Sequence, residues 1–548
     1  MRKVGGIAAV LVVALATAAH AYTLVTTDPD NGTPRRWAGS SPSILFEINQ
    51  DASGPLPNLE VGSDAAAAIG RALQAWPAVA NIDFTNRTTT VESVGGDNVS
   101  LITLKDTTAN RMAIEMAGGP LGLALVRSQG NTIVEADVVI NPQQFFSTTR
   151  DTDDELNQGG FFDLEAVVAH ELGHAIGLHH TGVESATMWS LSAVGQRSLD
   201  ADDRAGARAL YPLGSAGRIR GQVMIGPTPA FGAHVVAAIG GRVVASAMTL
   251  PNGNYVIDGL DPGDYLVYVE PLDGPHASVP NDPCTRIGNL SGAGIYNNAV
   301  LHTQFVTTFF PNNTTPSEVQ VDAGADSLVS FALAQGGIAL NPTLIGFAML
   351  SPGGVSFSVG GAAIELIAGQ QQAIAVVGPG LDALVAANIG FVGAELTIDG
   401  SSLRHLSIDC NGTSLPAIAF AVNVPANAFS GSRSLLLRNG SDVSAMTGAV
   451  AVRGVDLPTP TPVATATATQ PLPTVTLVPP TATRTPPEGC VGDCNVDGTV
   501  TVDEIVKMVN IALGTLAVAE CEAGDSDGSD TITVDEILTA IQNALNGC

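Results

Sequence analysis

Residues 22–214 alternate between short apolar runs and stretches in which apolar positions recur at helical spacing. The predicted elements are strands at 41–49, 98–104 and 132–141 and helices at 63–76, 164–177 and 200–211. Ser63 is the expected N-cap of the first helix, and Gly177 is expected to end the second. This mixture predicts a domain that contains both strands and helices.

From residue 216 onward the pattern changes to short apolar runs separated by Gly, Asn-Gly and Asp-Pro-Gly turns. Such runs are typical of antiparallel β structure, and they predict two β-rich modules, 216–336 and 337–454. Residues 455–488 are rich in proline and threonine, so they predict an extended linker without a core. Residues 489–548 contain two similar units, which predict a small repeat domain.

The composition narrows the classes of function. A chain of 548 residues is too long for one core and predicts three to five domains. Its formal net charge is −29, and Lys3, Lys105 and Lys507 are its only lysines. The sequence has no basic stripe that could contact a phosphate backbone, so binding to nucleic acid is not expected.

The N-terminus is typical of an export signal. Arg2 and Lys3 precede an apolar run, and the small residues Ala19 and Ala21 flank a candidate cleavage site. We expect a signal peptide over 1–21, a mature chain from Tyr22, a secreted location and no membrane span. Export also permits disulfide bonds.

One segment contains the chemistry of a metal site. His170 and His174 are four residues apart and project from one face of a helix, with Glu171 beside them. Gly177 can adopt positive φ and turn the chain, so that His180 supplies a third imidazole. Three imidazoles leave a fourth position for water, as a catalytic zinc requires.

The pattern therefore predicts a zinc-dependent endopeptidase in which Glu171 acts as general base toward a zinc-activated water. Two other interpretations are a helix with structural histidines and a vestigial zinc site. In the second case, the protein is an inactive extracellular binding or scaffold protein that uses its β modules and calcium domain.

The segment 170–180, HELGHAIGLHH, resembles the metzincin peptidases and, within them, the matrixins. The resemblance covers about 22–214 and implies an α+β catalytic domain with a twisted sheet and an active-site helix. It implies that Met188 forms the Met-turn under the metal and that Leu123 and Ala124 lie on a substrate-binding strand. Thr181 fits the matrixin branch, and His179 is expected to be an exposed neighbour.

Two departures from animal matrixins change the expectation. No histidine lies between Tyr22 and Ala169, and Val139 stands at an aligned ligand position, so we expect one zinc only. No cysteine precedes Cys284, so latency through a thiolate prodomain is not expected. The module 216–336, in particular its run 252–270, resembles a carboxypeptidase regulatory-like β-sandwich, and 337–454 resembles an immunoglobulin-like module.

The C-terminal repeat predicts two calcium loops, 493–504 and 525–536, that provide oxygen ligands at EF-hand spacing. The candidate calcium ligands are Asp493, Asn495, Asp497, Thr499, Glu504, Asp525, Asp527, Ser529, Thr531 and Glu536. We expect about two bound calcium ions. Asp530 replaces the usual glycine of the second loop, so binding there is expected to be weaker.

The paired loops after a Pro/Thr linker resemble a dockerin or EF-hand-like α-helical domain. This resemblance implies a cohesin-like or cell-surface partner, although Glu504 and Glu536 stand where dockerins usually have aspartate. The other expected partners are protein or peptide substrates. Four cysteines in this segment allow three disulfide connectivities, and the pairing of Cys284 and Cys410 is left open.

Overall fold

The structure is a computed structural model, and it divides into two compact units, residues 1–458 and 459–548. It describes residues 34–49, 56–149, 160–191, 195–272, 296, 300–336, 339–393, 395–410, 413–455, 490–495, 499–512, 516–526, 531–533, 536–537, 539–540 and 543–544. The predicted signal peptide and nearly all of the predicted linker lie outside these residues. None of the described helices has the length and apolarity needed to cross a membrane.

The first part of the large unit combines strands and helices. Its strands are β1 Arg36–Trp37, β2 Ser43–Asn49, β3 Asp83–Thr89, β4 Ser100–Thr103, β5 Gly122–Gln129, β6 Thr132–Ile140, β7 Phe146–Ser147 and β8 Phe162–Asp163. Its helices are α1 Ala65–Ala75, α2 Thr108–Met116, α3 Leu164–Ile176 and α4 Ala201–Leu210. The predicted strands and helices of this region are confirmed, with shifts of one or two residues at most ends.

A mostly parallel sheet forms the base of this region. Strands β3, β2, β4 and β6 pair in that order in parallel, and β1 runs parallel to the start of β6. Strand β5 runs antiparallel to β6 and pairs with no other described strand. Helices α1 and α3 share a core with the sheet through residues such as Trp76, Leu172 and Val138.

The N-cap of α1 differs from the prediction. Asp64, and not Ser63, accepts a hydrogen bond from the Ala67 amide, at 2.9 Å. The Ser63 hydroxyl instead accepts from the Thr148 amide at 3.0 Å, so it joins the helix entry to the segment after β7. Both residue types cap helices well, and the tertiary contact decides which one does so.

The β region that follows contains two sheets. Its strands are β9 Gly217–Ile225, β10 Thr228–Pro229, β11 Ala233–Ile239, β12 Arg242–Met248, β13 Asn254–Leu260, β14 Gly263–Pro271, β15 Thr308–Phe309, β16 Glu318–Val321, β17 Asp326–Leu328 and β18 Phe331–Leu333. Strand β9 pairs with β10, β13, β17 and β18, whereas β14, β11 and β12 belong to the second sheet. Side chains of both sheets, such as Ile257 and Val267, belong to the same core as the helical region.

The strands of the last β region of the large unit also belong to two sheets. Its strands are β19 Leu344–Ser351, β20 Gly354–Gly360, β21 Ile364–Ile367, β22 Gln371–Val377, β23 Ile389–Phe391, β24 Thr397–Cys410, β25 Thr413–Asn423, β26 Gly431–Asn439 and β27 Asp442–Arg453. Strands β20, β19, β22, β25 and β24 form one sheet. Strand β26 pairs with β12 through Arg433 and Arg242, so strands from both β regions share one sheet. The predicted boundary at residue 336 stays a prediction.

The C-terminal unit is small and partly helical. Helix α5 spans Val502–Ala512, and single 3-10 turns lie at Val518–Glu520 and Glu522–Gly524. Met508, Ile532 and Ala540 are among the buried residues of its core. A disulfide bond joins Cys494 to Cys521, and Cys490 is also disulfide-bonded.

Candidate metal centre

Helix α3 positions two of the three candidate ligands. Asp163 caps its N-terminus by accepting from the Glu165 amide at 3.0 Å. The helix ends at Gly177, which adopts φ of 111°, and its amide donates to the His174 carbonyl at 3.0 Å. This left-handed residue turns the chain as predicted, because a side chain is strained at such a φ. A Cβ at Gly177 would also lie 2.3 Å from the Arg35 carbonyl oxygen.

The turn brings His170, His174 and His180 together. One ring nitrogen from each lies within 4.8 Å of the other two. The Nε2 atoms of His170 and His180 are 3.2 Å apart, and the three pairs of ring centroids are separated by 4.8, 5.0 and 5.1 Å. Among the described residues, these three form the one group of His, Cys, Asp or Glu side chains with such convergence.

Hydrogen bonds decide which nitrogens can bind a cation. His170 Nδ1 lies 2.6 Å from the Thr187 carbonyl oxygen, and His174 Nδ1 lies 2.8 Å from that of Leu178. A carbonyl only accepts, so both Nδ1 atoms carry the proton and donate. The Nε2 lone pairs are then left for a metal, which is the tautomer that a zinc-binding histidine requires.

Charge state agrees with this arrangement. Burial is the main cause that lowers the pKa of His170 to about 3, and His174 lowers it further. Burial also lowers the pKa of His174. Neutral rings at physiological pH keep the lone pairs that coordinate a cation. The donor set therefore fits zinc, which prefers imidazole nitrogens in a tetrahedral site.

His179 differs from the sequence expectation, because its side chain is partly buried and not exposed. Its ring centroid lies 6.3 Å from that of His174, and it does not belong to the group of converging nitrogens. Burial, and the charges of His174 and Arg35, lower the pKa of His179 to about 3.

Glu171 lies between the helix and strand β5. Burial raises the pKa of its carboxyl group to about 8, against the hydrogen bond donated by the Ala124 amide. A Cβ at Gly122 would lie 2.8 Å from both Cγ and Oε1 of Glu171. Only glycine at position 122 lets the strand approach the carboxylate this closely. The sequence analysis missed this residue, and no local signal marks it apart from its place before the Leu123–Ala124 pair.

A second glycine, Gly173, makes room under the metal site. A Cβ there would lie 2.2 Å from Met188 Sδ and 2.8 Å from Trp76 Cζ2. Met188 is 2% exposed and packs in this space, as the resemblance implied for a Met-turn. The Trp76 indole N–H donates to the Ala169 carbonyl at 3.0 Å, which fixes the ring against the helix.

The turn that contains Met188 is held by a buried carboxylate that the sequence analysis did not single out. The two oxygens of Asp203 accept from the Thr187 amide at 2.8 Å and the Met188 amide at 3.0 Å. The Thr181 amide donates to the Met188 carbonyl at 3.0 Å. Asp203 lies in the first turn of α4, so this helix fixes the loop after His180.

Of the remaining predicted positions, Leu123 and Ala124 lie on β5, the strand beside Glu171. Val139 is fully buried in β6 and pairs with Thr103 and Leu123. An apolar side chain there contributes to the core and offers no ligand atom.

The calcium loops are described in part. Asp493, Glu504, Asp525 and Glu536, the first and last residues of the two loops, are all buried. Glu504 accepts from the amides of Asn495 at 3.1 Å and Thr501 at 2.8 Å. Glu536 accepts from the amides of Ser526 at 2.7 Å and Thr533 at 2.8 Å. Thr499 and Thr531 are described, whereas the predicted ligands Asp497, Asp527 and Ser529 lie outside the described residues.

The first part of the chain is similar in sequence to known proteins. Residues 38–212 match the matrixin family. Metalloendoproteinase 1 of Glycine max is 28% identical over 180 residues, which are 32% of this chain and 53% of that protein. Metalloendoproteinase 2-MMP of Arabidopsis thaliana is 27% identical over 192 residues, which are 35% of this chain and 45% of that protein. The chain thus spans about half the length of these relatives.

Two solved structures match part of this chain with low TM-scores. The Bacillus anthracis TIE protein is 8% identical, covers 44% of this chain over 51% of its own and has a TM-score of 0.14. Fervidolysin from Fervidobacterium pennivorans is 13% identical, covers 64% of this chain over 54% of its own and has a TM-score of 0.15. By the family match and the plant relatives, residues 38–212 are similar to matrixins.

Proposed function

We propose that this protein is a zinc-dependent metalloendopeptidase whose active site is formed by His170, Glu171, His174 and His180. The observation that carries this proposal is the convergence of three imidazole nitrogens within 4.8 Å, two of them with Nδ1 engaged by carbonyl oxygens. The match of residues 38–212 to the matrixin family and the two plant metalloendoproteinases support the same reaction class.

The three histidines would hold the zinc ion, and Met188 packs beneath them. When bound, zinc supplies Lewis acidity, which polarises a peptide carbonyl and makes a water molecule more acidic. Glu171 takes the proton that this water loses as its oxygen attacks the carbonyl carbon. The same carboxyl group then gives the proton to the amine nitrogen as the C–N bond breaks. Burial raises the pKa of the Glu171 carboxyl group and so makes its carboxylate a stronger proton acceptor than an exposed one.

Strand β5 is the candidate substrate-binding element. It pairs on one side with β6 and has no other partner among the described strands. An extended peptide can add to such an edge through main-chain hydrogen bonds, and we propose that Leu123 and Ala124 contribute to this contact. The close approach at Gly122 places this edge next to the carboxylate.

The protein is also proposed to be secreted and to bind calcium. The disulfide bond between Cys494 and Cys521 supports an oxidising compartment, in agreement with the export signal over 1–21. The buried carboxylates of Asp493, Glu504, Asp525 and Glu536 support two calcium loops in the C-terminal domain. A cohesin-like or cell-surface partner of this domain belongs to the same proposal. Sequencing of the secreted chain from its N-terminus should begin at Tyr22.

The central test compares Glu171→Gln with the parent protein in casein hydrolysis and in zinc content. We expect the variant to keep zinc, because the three imidazoles remain, and to lose turnover by about a hundredfold or more, because the proton acceptor is gone. Glu115→Gln is the matched control, since Glu115 is exposed on α2 outside the site, and it should hydrolyse casein as the parent does.

Removal of zinc by a chelator should abolish hydrolysis by the parent, and added zinc should restore it. Hydrolysis by the metal-free protein, or full activity of Glu171→Gln, would rule out this mechanism. A protein that binds zinc but hydrolyses no peptide would instead support the function of an inactive binding or scaffold protein.

A further inference from the structure

The loop that follows the third histidine is enclosed. Residues 181–189, here called the Met-turn loop, are all buried. Asp203 of α4 holds one side of this loop through the amides of Thr187 and Met188. The other side of the loop faces the two β regions, which contact it through apolar side chains and hydrogen bonds.

Apolar contacts form the first part of this interface. Val183 and Ala186 of the Met-turn loop belong to one buried cluster with side chains of the β regions. The other buried members of that cluster are Val236, Ala238, Val243, Tyr268, Phe309 and Val392. Gly448 of β27 allows close approach, because a Cβ there would lie 2.6 Å from Val183 Cγ1 and 2.9 Å from the Glu184 nitrogen. The Glu184 amide also donates to the Thr447 carbonyl at 3.0 Å.

A buried carboxylate links the first β region to this loop. The Thr181 hydroxyl donates to Asp202 Oδ2 at 2.6 Å, and the Ser246 hydroxyl of β12 donates to Asp202 Oδ1 at 2.9 Å. All three side chains are at most 1% exposed. Thr181 directly follows His180, so this network reaches the third histidine through one peptide bond.

A parallel link comes from the second β region. The Ser432 hydroxyl of β26 donates to the Asp200 carboxylate and contacts the Ser185 hydroxyl. Ser432 is 1% exposed and Ser185 is 8% exposed. Asp200 is the N-cap of α4, the helix that also provides Asp202 and Asp203.

We propose that the two β regions hold the Met-turn loop, and that Ser246 and Ser432 are positioning residues for the zinc site. Ser246 acts through Asp202 and Thr181, and Ser432 acts through Ser185 and Asp200. The β regions are thus a structural part of the metal centre. The catalytic consequence rests on the proposed function, whereas the positioning itself does not.

The test uses the full-length protein with Ser246→Ala, Ser432→Ala and the matched control Ser402→Ala. Ser402 lies on β24 and is half-buried, and its hydroxyl accepts from the Ala421 amide at 2.7 Å and donates to the Asp399 carbonyl, both within the second β region. Two quantities are measured: amide hydrogen exchange of residues 181–189 and the rate of zinc release to a chromogenic chelator.

We expect Ser246→Ala and Ser432→Ala to accelerate both exchange and zinc release by about tenfold, as expected for the loss of one buried hydrogen bond. Ser402→Ala should match the parent in both. In casein hydrolysis, Ser246→Ala and Ser432→Ala should lower kcat with little change in KM, because substrate contacts on β5 are untouched.

Exchange and zinc release at the parent's rates in both variants would overturn the proposal. An equal effect of Ser402→Ala would also overturn it, since the cause would then be general loosening of the β regions. If an alanine variant does not fold, Thr181→Val gives the same test from the loop side, with the shape of the side chain kept. Should the protein hydrolyse no peptide, the exchange measurement still decides the positioning.

Discussion

At the residue scale, two glycines shape the site as much as its ligands do. Gly173 faces Met188 and Trp76, and Gly122 faces Glu171, each at a distance that leaves no room for a methyl group. Gly173 lies between His170 and His174 of α3, where helix propensity alone would favour alanine. Its presence there is explained by packing under the site and not by backbone conformation.

We therefore expect Gly173→Ala to lower the free energy of unfolding by about 1–3 kcal/mol, because its Cβ overlaps Met188 Sδ. The variant should also bind zinc less tightly, since the loop under the histidines must move. Urea unfolding and zinc titration measure the two effects.

Gly70→Ala is the control for this substitution. Gly70 lies in α1, and a Cβ added there would meet no neighbouring atom within 4 Å. Alanine there should leave the stability unchanged or raise it by up to about 1 kcal/mol. Equal stability of the two variants would contradict the packing argument.

At the element scale, the N-cap and the first turn of α4 place three carboxyl groups, those of Asp200, Asp202 and Asp203, close to the Met-turn loop. Burial is the main cause that raises the pKa of Asp202 to about 8 and that of Asp203 to about 7. Each value lies above the ordinary pKa of about 3.9 in an unfolded chain. The folded protein therefore keeps protons that the unfolded chain releases.

This difference predicts a pH dependence with a definite sign. At these two aspartates the folded state binds more protons than the unfolded state between about pH 4 and about pH 8, so their contribution to the free energy of unfolding falls as the pH rises. Asp202→Asn removes one titrating group and keeps atoms that can hydrogen-bond to Thr181 and Ser246. The free energy of unfolding of Asp202→Asn relative to the parent should therefore rise from about pH 5 to about pH 8, as measured by urea unfolding.

The control for this prediction is Asp264→Asn, because Asp264 is exposed on β14. This variant should keep the parent's dependence on pH. A parent-like slope in Asp202→Asn would show that Asp202 is ionised in the folded protein at neutral pH, contrary to the argument from burial.

At the scale of the whole molecule, the chain divides into two compact units. The candidate zinc site lies in the first, and the candidate calcium loops lie in the second. Because each unit has its own core, we expect the two metals to stabilise different transitions. Metal analysis of the purified protein should give one zinc and about two calcium ions per chain.

Removal of calcium, with zinc kept saturating, should lower the unfolding temperature of the C-terminal unit and leave casein hydrolysis unchanged. Calcium at about a hundred times its dissociation constant stabilises the folded state by about 2.7 kcal/mol. Differential scanning calorimetry with and without calcium measures this shift.

Glu504→Gln should abolish calcium binding to the first loop, because the last loop residue contributes both carboxylate oxygens. Glu520→Gln, at an exposed position outside the loops, is the control and should bind calcium as the parent does. Calorimetric titration that finds the parent's stoichiometry and affinity in Glu504→Gln would contradict the calcium assignment.

Features that depend on local spacing could be predicted from the order of the residues. The periodicity of α3, the pair His170 and His174 on one face, and the left-handed turn at Gly177 all follow from residues within one or two helical turns. The same holds for the mixed strands and helices of the first region and for the β strands of the two regions that follow.

Features that join distant residues depended instead on the packing of the complete chain. The space under Gly173, the approach of Gly122 to Glu171 and the enclosure of the Met-turn loop involve chain segments that no local pattern connects. Ser185 and Ser432 are 247 residues apart in sequence, yet their hydroxyls are in contact. Packing of buried surfaces selects such pairs, because only the complete fold brings both partners out of water together.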